Sequence, residues 1–289
     1  MKASARHARL RTLLSGTECI SPASVYDAMS ARLAQAAGFT VGLFSGKIAS
    51  ASTLGAPDLN VITLTELTDQ ARRITRASDL SLVVDADHGY GNALNVMRTV
   101  EELEHAGVSM ISLEDTALPA RYGQALGGAE LISLEEMTDK VRAAVSARQD
   151  AGLMIAARTG ALNGEGRERA VERAKSYAKA GADAIFLMHV TALEDIEAVY
   201  AATKLPIVLA LVPPQLKRAD LAARGARVLS TGHHPVFAAA KALQQAYEHL
   251  YRGGSTEDLK SKSLTDPELA KAMRGDEYTQ LQRDYLSAK

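Results

Sequence analysis

Short apolar runs alternate with longer amphipathic runs along most of this chain. Runs of about four to six residues, rich in Val, Ile and Leu, are typical of strands buried in a parallel sheet. We expect such strands at about residues 18–21, 40–44, 80–85, 109–114, 153–158, 184–189, 207–212 and 227–230. Helical patterns lie at about residues 30–37, 65–77, 93–106, 134–148, 168–180, 192–201, 216–224 and 235–251. This regular alternation predicts an α/β protein.

A glycine follows several of the predicted helices, directly before the next strand. Gly38, Gly107, Gly181 and Gly225 occupy this position, and glycine tolerates the left-handed conformation that ends a helix. Eight strand–helix units in about 250 residues match a single (β/α)8 TIM-type barrel. The rival architecture, a doubly wound open sheet, would show a glycine-rich phosphate turn after the first strand. The sequence has no such turn there.

Two segments are not part of the regular strand–helix alternation. Residues 115–133 form a long connection after strand four, and its proline and three glycines suit an ordered loop that acts as a lid. The charged tail at about residues 253–289 has a helical pattern and is long enough to reach a neighbouring subunit. We therefore treat residues 1–289 as one barrel domain with an N-terminal helix and a C-terminal helical tail. We also expect a homo-oligomer.

The first 14 residues are basic and contain no acid. This composition fits either a mitochondrial targeting segment or an amphipathic helix that leads into the domain. Leu10, Leu13 and Leu14 form an apolar face, and no cleavage-like low-complexity stretch follows them, so we favour the helix. We expect His7, which falls in the same helical pattern, at the surface.

The composition indicates which cellular compartment and which classes of binding partner fit the protein. Lys plus Arg number 33 and Asp plus Glu number 34, so charge favours neither nucleic acid nor an anionic membrane as a partner. No apolar run approaches the roughly 20 residues that span a bilayer. Cys19 is the single cysteine, which excludes a disulfide within the chain and fits a cytoplasmic protein.

Three carboxylates lie at the ends of neighbouring predicted strands. Asp85 and Asp87 follow strand three, and Glu114 ends strand four. Active sites of barrels lie where the strands end, so these side chains should meet in one mouth. Converging carboxylates repel each other, and their pKa values rise unless a cation lies between them. Oxygen ligands without cysteine or metal-spaced histidines favour Mg²⁺, or Mn²⁺, over Zn²⁺.

Several motifs resemble those of the isocitrate lyase/phosphoenolpyruvate mutase superfamily, in order and over nearly the whole chain. They read Asp85-Ala86-Asp87-His88-Gly89-Tyr90-Gly91-Asn92, Tyr26-Asp27-Ala28-Met29-Ser30-Ala31-Arg32, Pro57-Asp58, Leu113-Glu114-Asp115 and Ala157-Arg158-Thr159. The resemblance implies a barrel whose last helix is exchanged between paired subunits, usually in a tetramer built as a dimer of dimers. It also implies Mg²⁺ at Asp85, with Asp87, Glu114 and Asp58 either binding the ion directly or contacting it through water.

The loop after strand four separates the branches of this superfamily. The lyase branch carries a catalytic cysteine there, and the corresponding loop here contains none. The mutase and phosphonopyruvate hydrolase branches have a lysine-rich loop, whose first lysine is replaced by Thr116. Residues 85–101, residues 115–120 and the Gly232-His233 pair are most similar to the bacterial oxaloacetate decarboxylase branch. That branch implies Mg²⁺-dependent decarboxylation of a small 2-oxo dicarboxylate, oxaloacetate, to pyruvate and CO₂ through a metal-stabilised enolate.

Four positions depart from that branch. Leu211 begins the strand-seven loop, which lacks the expected tyrosine. Lys47 and His189 replace small residues after strands two and six, and Gly160 replaces an asparagine after strand five. Lys47 and His189 suit a different or more anionic acid, so a phosphonopyruvate-type hydrolase or mutase, or a C–C bond lyase, is the alternative function. Because the tyrosine is missing, a non-catalytic barrel that binds a dicarboxylate is a second alternative.

Arg158 and His233 are the predicted catalytic residues, and both are also expected to bind the substrate. The planar fork of Arg158 suits a clamp for a substrate carboxylate, although the same group could simply pair with Glu114. His233 is our candidate for protonating the enolate, or for ordering a water that does so. His189 is either a substrate contact or a satisfied neighbour of the site.

The loop after strand two supplies the remaining substrate-binding candidates. Backbone N–H groups at Ser45 and Gly46 would stabilise a developing oxyanion. Lys47 would contribute charge to the pocket, lie free at the surface, or form a Schiff base with the substrate.

Overall fold

The computed structural model describes residues 2–119, 122–123 and 130–286. Eight parallel strands form one sheet in the order of the chain. The strands are β1 (Ala23–Ser24), β2 (Val41–Ser45), β3 (Ser81–Asp85), β4 (Met110–Glu114), β5 (Met154–Thr159), β6 (Ala184–Leu187), β7 (Ile207–Ala210) and β8 (Ala226–Ser230). A parallel bridge between Ile20 and Val228 brings the segment before β1 against β8, so the sheet curls into a barrel. The (β/α)8 prediction is confirmed.

The first strand lies at Ala23–Ser24, whereas the sequence pattern predicted it at residues 18–21. Only Ile20 of that segment pairs with β8, and the ladder with β2 starts at Ala23. Pro22 lies between these two pairings, and proline cannot donate a hydrogen bond to a strand ladder. The chain therefore changes its pairing partner at the proline, and the polar residue that ends β1 is Ser24.

Helices follow the strands, and the eight predicted ones are present with ends shifted by a few residues. The described helices are α1 (Ala3–Ser15), α2 (Ala28–Ala36), α3 (Gly46–Ala49), α4 (Leu64–Ala77), α5 (Ala93–His105), α6 (Leu134–Ala147), α7 (Arg167–Lys179), α8 (Leu193–Thr203), α9 (Arg218–Ala223), α10 (His234–Tyr251), α11 (Asp266–Ala272) and α12 (Gly275–Leu286). The short α3 and a π-helical turn at Ser50–Leu54 were not predicted, because such short helices show no apolar period.

Helix α1 closes the amino-terminal end of the barrel. Leu10 and Leu14 are buried in the apolar cluster that fills the barrel interior, and Leu13 packs partly buried against it, which is the packing expected of the predicted apolar face. The expectation that His7 is exposed is wrong. Its ring bonds to the Val108 carbonyl at 2.9 Å and to Asp150 Oδ2 at 2.8 Å, partners that a buried polar ring requires.

The helix after β8 packs differently from the others. Within the described residues no side chain of α10 is buried, and Phe237, Leu243 and Tyr247 are exposed. Helices α11 and α12 also lack buried residues over their described lengths. None of the helices described is long and apolar enough to cross a membrane.

The loop after β4 begins and ends as a short antiparallel pair. Thr116 bridges Leu131, and the Ala117 N–H donates to the Glu130 carbonyl at 2.8 Å. Residues 120–121 and 124–129, which include much of the predicted lid, lie outside the described residues. The lid therefore stays a prediction.

Candidate active site

The carboxyl ends of the strands surround a cavity of about 570 Å³. Strand register brings its polar residues together, because Ser45 lies beside Asp85 and Glu114 lies beside Arg158 on neighbouring strands. Nine of the predicted site residues line the cavity: Ser45, Lys47, Asp58, Asp85, Asp87, Glu114, Arg158, His189 and His233. The tenth, Gly46, lies against Asp87.

Arg158 joins two of the three carboxylates. Its Nη1 donates to Asp85 Oδ2 at 2.5 Å, and its Nη2 lies 3.1 Å from Glu114 Oε2. Burial alone would lower the pKa of Arg158, but Asp85 and Glu114 raise it above its ordinary value. Among the described residues, its buried Nε has no hydrogen-bond partner. The guanidinium is thus paired inside the protein and keeps one donor direction unused.

The carboxylates carry more negative charge than Arg158 can neutralise. Burial raises the pKa of Asp87 well above its ordinary value, and Asp85 and Glu114 raise it further. Burial is also the main cause that raises the pKa of Glu114; Arg158 opposes this rise and Asp85 adds to it. A divalent cation among these oxygens would remove the repulsion.

The donor set suits a hard cation, although its side chains are turned towards protein partners. Glu114 accepts from Thr116 Oγ1 at 2.8 Å, and Asp87 accepts from Asn60 Nδ2 at 3.0 Å. As the side chains stand, no three His, Cys, Asp or Glu residues in the described part of the chain enclose a metal position. The structure brings the predicted ligands into one cavity, and their role as ligands stays a prediction.

His233 lies between two serine hydroxyls. Its Nδ1 is 2.7 Å from Ser24 Oγ, and its Nε2 is 3.1 Å from Ser45 Oγ. Burial lowers the pKa of His233 and the nearby Lys47 lowers it further, so the neutral ring is favoured near pH 7. Since both ring nitrogens are engaged, proton exchange between them and the cavity would pass through the Ser45 hydroxyl.

Lys47 and His189 line the cavity from exposed positions. The Lys47 Nζ stands 5.9 Å from the centre of the Phe237 ring. Burial raises the pKa of Asp58, while Lys47 acts to lower it. His189 follows β6 with a φ of 60°, and its pKa is lowered by burial and then by Arg158. Both side chains can therefore meet a bound molecule.

Three of the residues that the sequence analysis did not predict contact predicted site residues directly or stand beside one of them in the cavity wall. Ser24 bonds to His233, Asn60 donates to Asp87, and Phe237 forms part of the cavity wall. Pro22 was a usable signal for Ser24, because it marks where the first strand changes partner. The apolar period of α10 gives no signal that Phe237 faces a cavity rather than another chain.

A buried ion-pair network behind the cavity ties the loop after β4 to α7. Arg173 Nη1 lies 3.4 Å from Asp115 Oδ2 and donates to the Ile132 carbonyl at 3.1 Å. The same guanidinium donates to both carboxylate oxygens of Glu165, at 2.8 and 2.9 Å. Asp115 also accepts from the Gly160 N–H at 3.2 Å. The network therefore holds both ends of the β4 loop and the start of the β5 loop.

Comparisons with known proteins cover nearly the whole chain. The family model for phosphoenolpyruvate phosphomutase matches residues 10–251. A Bradyrhizobium diazoefficiens protein named oxaloacetate decarboxylase is 46% identical over 286 residues, which cover 98% of each chain. A solved oxaloacetate acetylhydrolase in complex with the inhibitor 3,3-difluorooxalacetate is 28% identical, with a TM-score of 0.86 over 100% of this chain and 99% of the other. A solved phosphonopyruvate hydrolase in complex with oxalate and Mg²⁺ is 28% identical, with a TM-score of 0.83 over 99% and 100%.

Proposed function

The chain belongs to the phosphoenolpyruvate phosphomutase family, within the isocitrate lyase/phosphoenolpyruvate mutase superfamily, and we propose that it is a Mg²⁺-dependent oxaloacetate decarboxylase. The observation that carries this proposal is the cavity at the strand ends, where Arg158 meets a surplus of buried carboxylates. The 46% identity to a named oxaloacetate decarboxylase over 98% of both chains supports the choice of substrate.

Decarboxylation of oxaloacetate leaves an electron pair that the enzyme must stabilise. When the C3–C4 bond breaks, CO₂ leaves and the pair moves into the C2–C3 bond, which puts negative charge on the C2 oxygen. C3 then takes a proton, and the product is pyruvate. An enzyme accelerates this reaction by stabilising the charged C2 oxygen more strongly in the transition state than in the substrate.

Arg158 is the proposed clamp for the C1 carboxylate. Arg158 lines the cavity, and each Nη carries a second hydrogen besides the one directed at Asp85 or Glu114, in a planar fork that matches a carboxylate. Backbone N–H groups at Ser45 and Gly46 are the proposed donors to the C2 oxygen. These contacts would fix the reacting end of the substrate against the strand ends.

Asp85, Asp87 and Glu114 are the proposed ligands of Mg²⁺, which Mn²⁺ could replace, with Asp58 acting through water. The fit rests on the all-oxygen donor set and on the raised pKa of Asp87 and Glu114. The bound cation would supply positive charge beside the C2 oxygen. A solved relative with oxalate and Mg²⁺ supports the choice of ion.

We propose that His233 either donates the proton that C3 receives or orders a water that donates it. The ring nitrogens meet the cavity through the hydroxyl of Ser45, which is 3.1 Å away. The neutral ring avoids a positive charge that would stabilise the departing C4 carboxylate, but giving up its one N–H would leave an imidazolate. The neutral ring therefore suits the ordering of a water that delivers the proton, whereas direct donation would require the ring to be protonated on both nitrogens first.

A second candidate function is favoured by the two basic side chains at the cavity. Lys47 and His189 would suit the extra charge of a phosphonate, or the second carboxylate of a 2-hydroxy acid, on the same platform. The chain would then be a phosphonopyruvate-type hydrolase or mutase, or a C–C bond lyase. Cleavage of phosphonopyruvate or a substituted malate in a substrate panel, faster than of oxaloacetate, would establish this alternative.

We also propose that the chain assembles into a tetramer in which α10 is exchanged between paired subunits. The support is that α10 has no buried residue within the described chain and exposes Leu243 and Tyr247. Light scattering should give about four times the chain mass of 30.7 kDa. A mass of one chain at micromolar concentration would contradict the proposal.

Pyruvate release from oxaloacetate tests the proposed function. The measurement is made with Mg²⁺ and then with excess EDTA, and is corrected for the metal-catalysed decay of oxaloacetate without enzyme. Release that needs both enzyme and metal supports the decarboxylase. If no release exceeds background, the decarboxylase proposal fails; Mg²⁺-dependent binding of oxalate without turnover would then indicate a non-catalytic dicarboxylate-binding barrel.

A further inference from the structure

Ser24 and His233 are 209 positions apart in the chain and meet at 2.7 Å, through Ser24 Oγ and the ring Nδ1. Ser24 is 8% exposed and ends β1, where Pro22 has redirected the strand towards β2. On the other side of the ring, Nε2 lies 3.1 Å from Ser45 Oγ at the end of β2. The three side chains thus form one chain of hydrogen bonds from the barrel wall to the cavity.

The direction of these hydrogen bonds follows from the partners of each hydroxyl. A neutral imidazole has one donor and one acceptor nitrogen, so one serine must donate to the ring and the other must accept from it. If Ser45 donated to Nε2, then Nδ1–H would donate to Ser24, and the hydrogen of the buried Ser24 hydroxyl would need another acceptor. Within the described residues, His233 is the one side-chain hydrogen-bond partner of Ser24.

The opposite direction gives a partner to both ring nitrogens and to the hydrogen of the Ser24 hydroxyl. Ser24 O–H donates to Nδ1, and Nε2–H donates to Ser45 Oγ. The Ile48 N–H also donates to Ser45 Oγ, at 3.4 Å. Both of these bonds use the lone pairs of Ser45, so its own hydrogen is left to point at the cavity that Ser45 lines. A buried unsatisfied hydroxyl is avoided only in this arrangement.

We propose that Ser24 is a positioning residue, which fixes the His233 tautomer with hydrogen on Nε2 and so directs the Ser45 hydroxyl hydrogen at the C2 oxygen of the substrate. The identity of that substrate rests on the proposed function. The Ser45 hydroxyl would then strengthen its hydrogen bond as charge builds on that oxygen, which raises kcat more than it improves KM.

The tautomer is measured first, on the intact wild-type protein with ¹⁵N-labelled histidine and Mg²⁺. The seven histidines are separated by comparison with His233→Asn, whose spectrum lacks one set of signals. We expect the shift pattern of a ring protonated at Nε2. Protonation of the wild-type ring at Nδ1 would overturn the proposal, whatever the substrate proves to be. This readout therefore separates failure of the proposal from failure of the decarboxylase assignment.

Variants of Ser24 give the second test. In Ser24→Ala we expect kcat for pyruvate release to fall about tenfold, with KM changed by less than about twofold. The reason is that the Ser45 hydroxyl, which is held through His233, is no longer directed at the C2 oxygen. Ser24→Thr, which keeps the hydroxyl, should restore most of the rate and the Nε2–H pattern. Ser109→Ala is the matched control, since Ser109 is fully buried at the far end of the barrel and its hydroxyl has no partner within the described chain. Full kcat in a folded Ser24→Ala would contradict the proposal.

Discussion

Gly46 lies directly against Asp87, so that a Cβ at residue 46 would stand 2.6 Å from Asp87 Oδ2 and 3.0 Å from Oδ1. Asp87 itself has a φ of 48° and accepts a hydrogen bond from Asn60 at 3.0 Å. The absent side chain of Gly46 therefore leaves the space that the proposed metal ligand occupies. This steric role is separate from the oxyanion role that the sequence suggested for Gly46.

Gly46→Ala should displace the Asp87 carboxylate while the barrel stays folded. The new Cβ would clash only with the terminal atoms of the Asp87 side chain, and these can move without the backbone. We expect the Mg²⁺ concentration for half-maximal activity to rise about tenfold or more, as for loss of a group that holds a metal ligand in place. Gly160→Ala is the control, because its Cβ would meet nothing closer than Leu131 Cδ2 at 3.6 Å. Equal Mg²⁺ responses in the two variants would contradict the steric argument.

Asp85→Ala should abolish turnover and the Mg²⁺ dependence together. The variant removes a proposed ligand and also the partner that Arg158 Nη1 holds at 2.5 Å. Pyruvate release with and without EDTA measures both effects. Asp69→Ala removes an exposed carboxylate that pairs with Arg72, and both readouts should stay at wild-type values. Activity retained in Asp85→Ala would refute the metal assignment.

Arg173→Met should unfold more easily than the wild-type protein. It leaves Asp115, which is fully buried, and Glu165 without their cation. Removal of one partner from a buried ion pair costs about 3–5 kcal/mol of unfolding free energy, which urea denaturation measures. Arg169→Met on the same helix breaks only an exposed pair with Glu172 and should cost less than about 1 kcal/mol. Similar urea midpoints for both variants would show that the network does not stabilise the β4 loop.

The pKa of His233 should rise when Lys47 loses its charge. Burial is the larger cause that lowers this pKa, and the Lys47 ammonium is the second. In Lys47→Met the imidazolium is less disfavoured, so the ring should take up its proton at a higher pH than in the wild type. NMR titration of His233 measures the midpoint directly. Lys47→Arg keeps the charge and should keep the midpoint, and a downward shift in Lys47→Met would contradict the assignment.

The carboxylate cluster was predictable because a parallel barrel gathers its strand ends on one face. Asp85, Glu114 and Arg158 each end or nearly end an apolar run, and those runs are visible in the sequence. The register then pairs Glu114 with Arg158, and it places Asp85 beside Ser45 and Ser112 on the neighbouring strands. The pairing of Arg158 with Asp85 as well as Glu114 was not predictable, because it depends on which rotamers the packed cavity allows.

The sequence did not predict contacts between segments that lie far apart along the chain. Ser24 was missed because the apolar pattern placed the first strand before Pro22 rather than after it. His7 was taken for a surface residue, although α1 closes the barrel and buries it against Val108. In both places, the local pattern is compatible with more than one set of long-range neighbours.

The sequence by itself determined the alternation of strands and helices, the (β/α)8 class and the set of polar residues at the strand ends. These properties follow from local periodicity, which decides which face of each element is apolar. Tertiary structure alone decided that Ser24 meets His233, that Gly46 makes room for Asp87, and that α10 buries none of its described residues. The reason is that such contacts depend on how the closed sheet positions segments far apart in the chain, and no periodicity along the chain records those distances.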